Sequence, residues 1–357
     1  MKFIELFAGI GGFRLGLERQ GHECVWSNEW LPRPRGIYEY NFKEKPDERD
    51  ITTVSGKDIP NADLIVGGFP CATFSVAGKR TGFSLADTRG TLCFEMFRIA
   101  REGKIPYLMF ENVKGLLNHD NGRTFAIILA SLDELGYDCQ WELLDSQHFG
   151  VPPHRERIFL IANLRGKPRP KVFPIREESR HDNPNKKLRS KKVFGTLQAR
   201  MRKGLGNTES RVTSVLVDSV NGEKIRSLDE IIEKTKNTGV STWRGGKFRK
   251  HHGDGVPTLT ARMGTGGHNV PFIGDKEDMS VLTDEGFTEK AFMNIRKLTP
   301  LECERLQGLP DNFTKYRIQN GKVMENPDSE RYERCGRTVT IPVIEAIGKK
   351  LGKEWYD

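Results

Sequence analysis

The chain has 357 residues, long enough for one large domain and a smaller one, each with its own core. Its formal charge is +9, with 57 Lys and Arg against 48 Asp and Glu, which favours a polyanionic partner, nucleic acid before membrane. No apolar run approaches the roughly 18 residues of a membrane span, and the opening Met1-Lys2-Phe3-Ile4-Glu5-Leu6 is too short and too acidic for a signal peptide.

Lys2–Leu6 predicts a short buried strand. Phe7-Ala8-Gly9-Ile10-Gly11-Gly12 is a nucleotide-type loop leading into a helix over 13–20, and 23–27 predicts a second strand. Arg14 stands where G-x-G-x-x-G would put its third glycine, so the loop departs from the dinucleotide fingerprint. Glu29 follows the second strand, where an acid can accept hydrogen bonds from both ribose hydroxyls of a nucleoside. An apolar strand over 63–66 runs into Gly67-Gly68-Phe69-Pro70-Cys71-Ala72-Thr73-Phe74-Ser75, and the loop continues to Arg89, rich in Gly, Ser, Thr, Lys and Arg. Loops of that length are uncommon unless functional or disordered. A helix over 91–100, a strand over 106–110 ending at Glu111, a helix over 124–135 and a strand over 138–144 come next. The turn Arg155-Glu156-Arg157 precedes a strand over 158–162. Such alternation predicts an α/β fold, a mostly parallel sheet with helices on both faces and ligands at the carboxyl ends of its strands.

Composition shifts after Leu164. Residues 165–203 carry repeated Arg, Lys and Pro, and 204–275 mix short β-like stretches (212–217 and 258–261) with glycine-rich turns such as Met263-Gly264-Thr265-Gly266-Gly267-His268. This predicts a second, smaller, irregular basic domain over 165–324. The first domain spans 1–164 and is completed by about 325–357. Thr299 N-caps a helix over 300–307, and Ile341–Leu351 is a terminal helix returning to the first domain. No internal repeat or low-complexity tail is present.

Six cysteines stand at 24, 71, 93, 139, 303 and 335, with no C-x-x-C pair and no zinc spacing to histidine, so no metal site is expected. Cys24, Cys93, Cys139 and Cys303 read as inert core filler. His251-His252 reads as a solvated or phosphate-contacting pair. Cys71 differs because it follows a buried strand in a Gly-Gly-Phe-Pro turn. A thiol at Cys71, a carboxyl at Glu111 and a guanidinium at Arg155 terminate successive α/β units and make up a covalent-catalysis set.

These blocks, in this order and across nearly the whole chain, resemble the DNA (cytosine-5) methyltransferase family. The resemblance implies a Rossmann-like S-adenosylmethionine-dependent methyltransferase sheet with a DNA-recognition domain, acting on double-stranded DNA as a monomer. It also implies a prokaryotic or phage-encoded cytoplasmic protein of the restriction-modification kind. Cys71 would add to C6 of a flipped cytosine, Glu111 would protonate or hydrogen-bond N3, Arg155 would steady the base carbonyl, and Arg157 would anchor Glu111 or DNA. Phe7, Gly9, Gly11, Gly12, Glu29, Trp30, Asp50, Ile51, Pro70, Leu92 and Thr338 would line the donor pocket. Phe7 and Trp30 would flank the adenine, Glu29 hold the ribose and Asp50 meet the adenine amino edge. Ser75, Lys79, Arg80 and Arg89 in the cysteine loop, with Thr260, Arg262, Gly266 and Gly267, would contact DNA. The block Arg296–Pro310 would close a recognition region running from Arg165 to about Asn294.

Four features depart from that family's pattern. Ala72 and Pro153 stand where it has glutamine, and Pro32 and Pro34 are expected to delay the helix after Trp30. Arg337 replaces the asparagine of the closing Gly-Asn, beside the donor and the thiol. A buried guanidinium there needs an anion. A DNA phosphate, the donor's amino-acid carboxylate, or a carboxylate on the transferred group would serve. The last would make the donor carboxy-S-adenosylmethionine and the reaction a carboxymethylation. Two further alternatives are a non-catalytic DNA-binding relative and an RNA methyltransferase on the same fold.

Overall fold

In the computed structural model, residues 1–69, 92–175 and 298–352 are described in full, together with the backbone of short strands within 238–297 and at Trp355–Tyr356. β1 (Lys2–Leu6), α1 (Gly12–Glu18) and β2 (Glu23–Asn28) form the predicted opening unit. Then come α2 (Pro32–Phe42), β3 (Leu64–Gly67), α3 (Leu92–Gly103), β4 (Tyr107–Val113), α4 (Arg123–Glu134) and β5 (Tyr137–Asp145). The short β6 (Pro153–His154) and the long β7 (Glu156–Leu164) follow.

Six strands pair in the order β2-β1-β3-β4-β7-β5. β2, β1, β3 and β4 run parallel, and β7 is antiparallel to both of its neighbours. That reversal matters. β7 begins at the edge where the other five strands end, so Arg155 and Arg157 enter on the same side as Gly67 and Glu111. Side chains alternate across the sheet as a pleat requires. Ile4, Leu6, Ile65, Leu108 and Phe110 pack with Met96 and Ile99 of α3 and Ile128 and Leu132 of α4. Phe3, Val66, Met109 and Phe159 pack on the opposite face with Phe13, Leu17, Ile344 and Ile347.

β8 (Arg169–Pro170) follows the sheet. β9 (Thr238–Arg244) and β10 (Lys247–His251) come next, then β11 (Val256–Pro257), β12 (Phe272–Asp275) and β13 (Arg296–Lys297). β10, β9, β12 and β13 form a four-stranded sheet, while β11 runs parallel to β6, with Pro257 opposite His154. The chain continues as α5 (Pro300–Leu306), the hairpin β14 (Tyr316–Gln319) and β15 (Lys322–Glu325), α6 (Asp328–Arg337) and α7 (Ile341–Leu351). β16 (Trp355–Tyr356) pairs with β8. Thr299 caps α5 in a full capping box with Glu302.

Two details differ from the sequence reading. α2 starts at Pro32 itself rather than later, because the first helical turn has no intrahelical use for the N–H that proline lacks. The described flanks of the expected recognition segment pack on the sheet body. Val172 and Phe173 are buried in the second core cluster, and the carbonyl of Ile318 lies against Gly36 of α2.

Candidate active site

The glycine loop is a left-handed turn. Phe7, Gly9 and Gly11 have φ of 54°, 58° and 87°, a region that costs Phe7 strain and Gly9 nothing. The loop is held from β2: the Ala8 N–H donates to the Asn28 carbonyl at 3.0 Å, and the Gly9 N–H donates to Glu29 Oε2 at 2.8 Å. Glu29 Oε1 accepts the Leu31 N–H at 2.9 Å. Each carboxylate oxygen holds one backbone donor and keeps further accepting capacity. Burial raises the Glu29 pKa above the ordinary carboxylate range, against the pull of those N–H groups and of Arg334 and Arg35. Trp30 beside it is 61% exposed. The Asn28 amide donates to the carbonyls of Asp47 and Arg49, which draws Asp50 and Ile51 toward the end of β2. Ile51 is buried, Asp50 caps its short turn by accepting from Thr52, and Leu92 packs on the core at the start of α3.

The closing segment packs onto the same loop. A Cβ on Gly12 would come within 2.5 Å of Thr338 Oγ1, so only glycine admits the α6–α7 junction this closely. Gln307 clasps the same junction: its amide donates to the Cys335 carbonyl at 2.9 Å and accepts from Thr340 Oγ1 at 2.8 Å. These residues fit a nucleoside-bearing donor, with a buried acid, an exposed indole and a backbone open to close approach.

At the neighbouring strand ends the charged residues converge. Arg157 Nε lies 3.0 Å from Glu111 Oε1. The other oxygen, Glu111 Oε2, would sit 3.3 Å from a Cβ placed on Gly68, three residues before Cys71. The Asn112 amide donates to the Phe69 carbonyl at 3.0 Å and ties the start of the cysteine loop to the strand that bears Glu111. Arg155 is buried and donates to the carbonyls of Gly336 at 3.2 Å and Thr338 at 2.9 Å. Desolvation, helped by Arg157, presses its pKa down to about 9, which leaves it charged at neutral pH.

Arg337 differs from its expected setting. Its side chain is 55% exposed and pairs with Glu333 one turn back at 2.8 Å, so no burial cost arises and no further anion is required. Cys24, Cys93, Cys139, Cys303 and Cys335 are free thiols, and burial raises the pKa of each, to about 12 for Cys24 and Cys139. None of them suits a nucleophile's role. Pro70, Cys71, Ser75, Lys79, Arg80, Arg89, Thr260, Arg262, Gly266 and Gly267 lie outside the described residues, as do the β-like stretches 212–217 and 258–261. No cluster of possible metal ligands and no helix long and apolar enough to cross a membrane occurs among the described residues.

Sequence reasoning missed Asn112, Gln307 and the pairing of Glu29 with backbone N–H groups. The adjacency of Asn112 to Glu111 was the one available signal. The hairpin was also missed, although Asn320-Gly321, both left-handed, is the strongest short-range hairpin signature.

A mostly parallel sheet with a glycine loop after its first strand, a buried acid after its second and charged residues at its carboxyl edge has the architecture of a Rossmann-like methyltransferase. The chain belongs to the C-5 cytosine-specific DNA methylase family, which matches residues 1–353. It is similar to the Type II methyltransferase M.Bsp6I of Bacillus sp. (strain RFL6), 33% identical over 358 residues and 99% of both chains. It is also similar to the Type II methyltransferase M.HhaI of Haemophilus parahaemolyticus, 34% identical over 99% of this chain and 94% of that one. Among solved structures, a mutant Spodoptera frugiperda DNMT2 shares the fold with a TM-score of 0.63, at 20% identity over 99% of both chains.

Proposed function

We propose that this enzyme transfers a methyl group to C5 of a cytosine in duplex DNA through a covalent adduct between Cys71 and C6. One observation carries the reading: the Glu111 carboxyl group, paired with Arg157, lies against Gly68 at the root of the Cys71 loop. Cytosine C5 is too weak a nucleophile until a thiolate adds to C6 and makes the ring enamine-like. Glu111 then meets N3 as charge develops there, and Arg157 holds that carboxyl group in place. Arg155 steadies the base carbonyl while bound to the closing segment. After transfer, loss of the C5 proton and β-elimination free Cys71. S-adenosylmethionine supplies the methyl group when bound, and Phe7, Glu29, Trp30, Asp50, Ile51, Pro70, Leu92 and Thr338 would hold it. The target atoms are stacked in duplex DNA, so the base must be flipped out.

The basic region from Arg165 to about Asn294 would grip DNA, mainly through phosphates, with Thr260, Arg262 and the Gly266-Gly267 turn near base edges. Ser75, Lys79, Arg80 and Arg89 would contact DNA. The Type II designation of the relatives suggests a partner restriction enzyme and action in a bacterial cytoplasm. Methyl is favoured over carboxymethyl because Glu333 already answers the charge of Arg337.

A duplex carrying 5-fluorocytosine tests the mechanism. The wild type should be trapped as a covalent adduct and Cys71→Ser should not. Turnover by Cys71→Ser, or no adduct with a wild type active on the same site, would remove Cys71 from the role. Nucleoside mass spectrometry with both donors supplied together should find 5-methylcytosine as the main product. 5-Carboxymethylcytosine as the main product would reverse the donor assignment.

A further inference from the structure

The ends of β4, β7 and β5 carry a row of charges that the proposed chemistry does not use. Register fixes the row: Val113 faces Arg157 across β4 and β7, and Asp145 faces Glu156 across β5 and β7. Lys114, just past β4, pairs with Glu156 at 2.6 Å. His154, immediately before Arg155, has its Nδ1 hydrogen-bonded to Asp145 Oδ2. In each pair the cation is the more exposed partner: Lys114 52% against 30%, and His154 58% against 14%.

Asp145 does more than hold the imidazole. Its Oδ1 accepts the Arg155 N–H at 3.1 Å and the Gln147 N–H at 3.2 Å, and the Ser146 N–H donates to the Arg155 carbonyl at 3.2 Å. The imidazole is therefore fixed to the same turn that presents Arg155. On the other side, the backbone of His154 pairs with Pro257 in the basic region. His154 thus stands where the catalytic edge meets the segment expected to carry DNA.

We propose that His154, held by Asp145 and flanked by Lys114, contacts the phosphate backbone of the substrate DNA only while its imidazole is protonated. This rests on the reading of duplex DNA as substrate. Asp145 and Glu156 face the ring as anions and Lys114 as a cation. With His154 charged, the four groups sum to zero; with it neutral they sum to −1 and repel a phosphate. The hydrogen bond to Asp145 raises the His154 pKa above the ordinary histidine value, which carries the charged form toward neutral pH. DNA affinity should therefore fall as pH rises through and above that ordinary value.

The test is duplex DNA affinity of the whole protein at pH 6.0 and 8.5 over a salt series, with donor affinity measured alongside. Wild type should bind about three- to tenfold more tightly at the lower pH than His154→Gln, with a salt slope steeper by about one counterion. The two should converge at pH 8.5. His154→Lys, which cannot lose its charge in this range, should keep the tighter binding at both. Donor affinity should be alike in all three, which separates a lost contact from a misfolded chain. Equal pH slopes for wild type and His154→Gln would overturn the proposal while leaving the substrate reading standing. Absence of duplex binding by wild type at either pH would overturn both.

Discussion

The proposed donor site and the proposed base-facing edge lie at the same end of one sheet, yet they are assembled differently. On the donor side the contacts that hold the glycine loop are short-range. Gly9 and Leu31 are joined by one carboxylate, Glu29, and Asn28 fastens the 47–50 loop, all within the first fifty residues. The base side is long-range. Glu111, Arg155 and the carbonyls of Gly336 and Thr338 meet only because β7 runs backward beside β4 and α6 folds onto the first domain. Local closure costs little chain entropy, whereas the distant contacts stand or fall with the whole fold.

Disruption of the long-range side should give the largest effect. Arg155→Met strips two buried carbonyls of a charged donor, so turnover should fall by roughly a thousandfold and stability by about 3 kcal/mol. Single-turnover assays and urea denaturation check this. A variant with near-normal turnover would show that Arg155 only fills space.

Glu5 underlies the donor loop and offers a test by pH. It is wholly buried, its Oε1 accepts the Arg14 N–H at 3.4 Å, and its Oε2 has no partner among the described residues. Burial raises its pKa to about 8. The unfolded chain ionises near the ordinary carboxylate value while the folded chain holds its proton to about 8, so the folded state binds more protons in between. Stability should decline as pH rises across that window and level off above it, by roughly 5 kcal/mol in all. Glu5→Gln should flatten the decline in denaturation midpoints from pH 5 to 9. An unchanged slope would show that Glu5 ionises without penalty.

Smaller effects should separate the two regions. Arg157→Gln frees the Glu111 carboxyl group and should lower kcat about ten- to a hundredfold with donor affinity intact, while Arg157→Lys recovers part of it. Glu29→Gln should do the converse. Its amide can accept at only one atom, so donor affinity should drop about tenfold by calorimetry while DNA affinity holds. Equal losses of both affinities in either variant would mean that the regions are one cooperative unit. The smallest change is expected for Arg337→Asn. An exposed pair of this kind contributes within about 0.5 kcal/mol, and donor preference should not move. A reversal of donor preference would restore the carboxylated donor.

Much of this was legible in the sequence because it is local. Apolar runs at 2–6 and 341–351 became strand and helix with the same limits, and Thr299 caps its helix as expected. The ordered motifs named the family and located Glu29, Glu111 and Arg155. The direction of β7 was not legible, since periodicity gives a strand and its pleat but not its neighbour. Nor was the fate of Arg337, because a helix's exposed side is set by what packs on its other side, and Glu333 one turn back was an equally good partner. Sequence by itself determined the family, and it named the residues proposed to carry the chemistry, through residue type and motif order. Tertiary structure alone decided that Arg157 braces Glu111, that Arg155 is locked to the closing segment and that Arg337 faces solvent. Each depends on contacts between segments dozens to hundreds of residues apart, which no local pattern encodes.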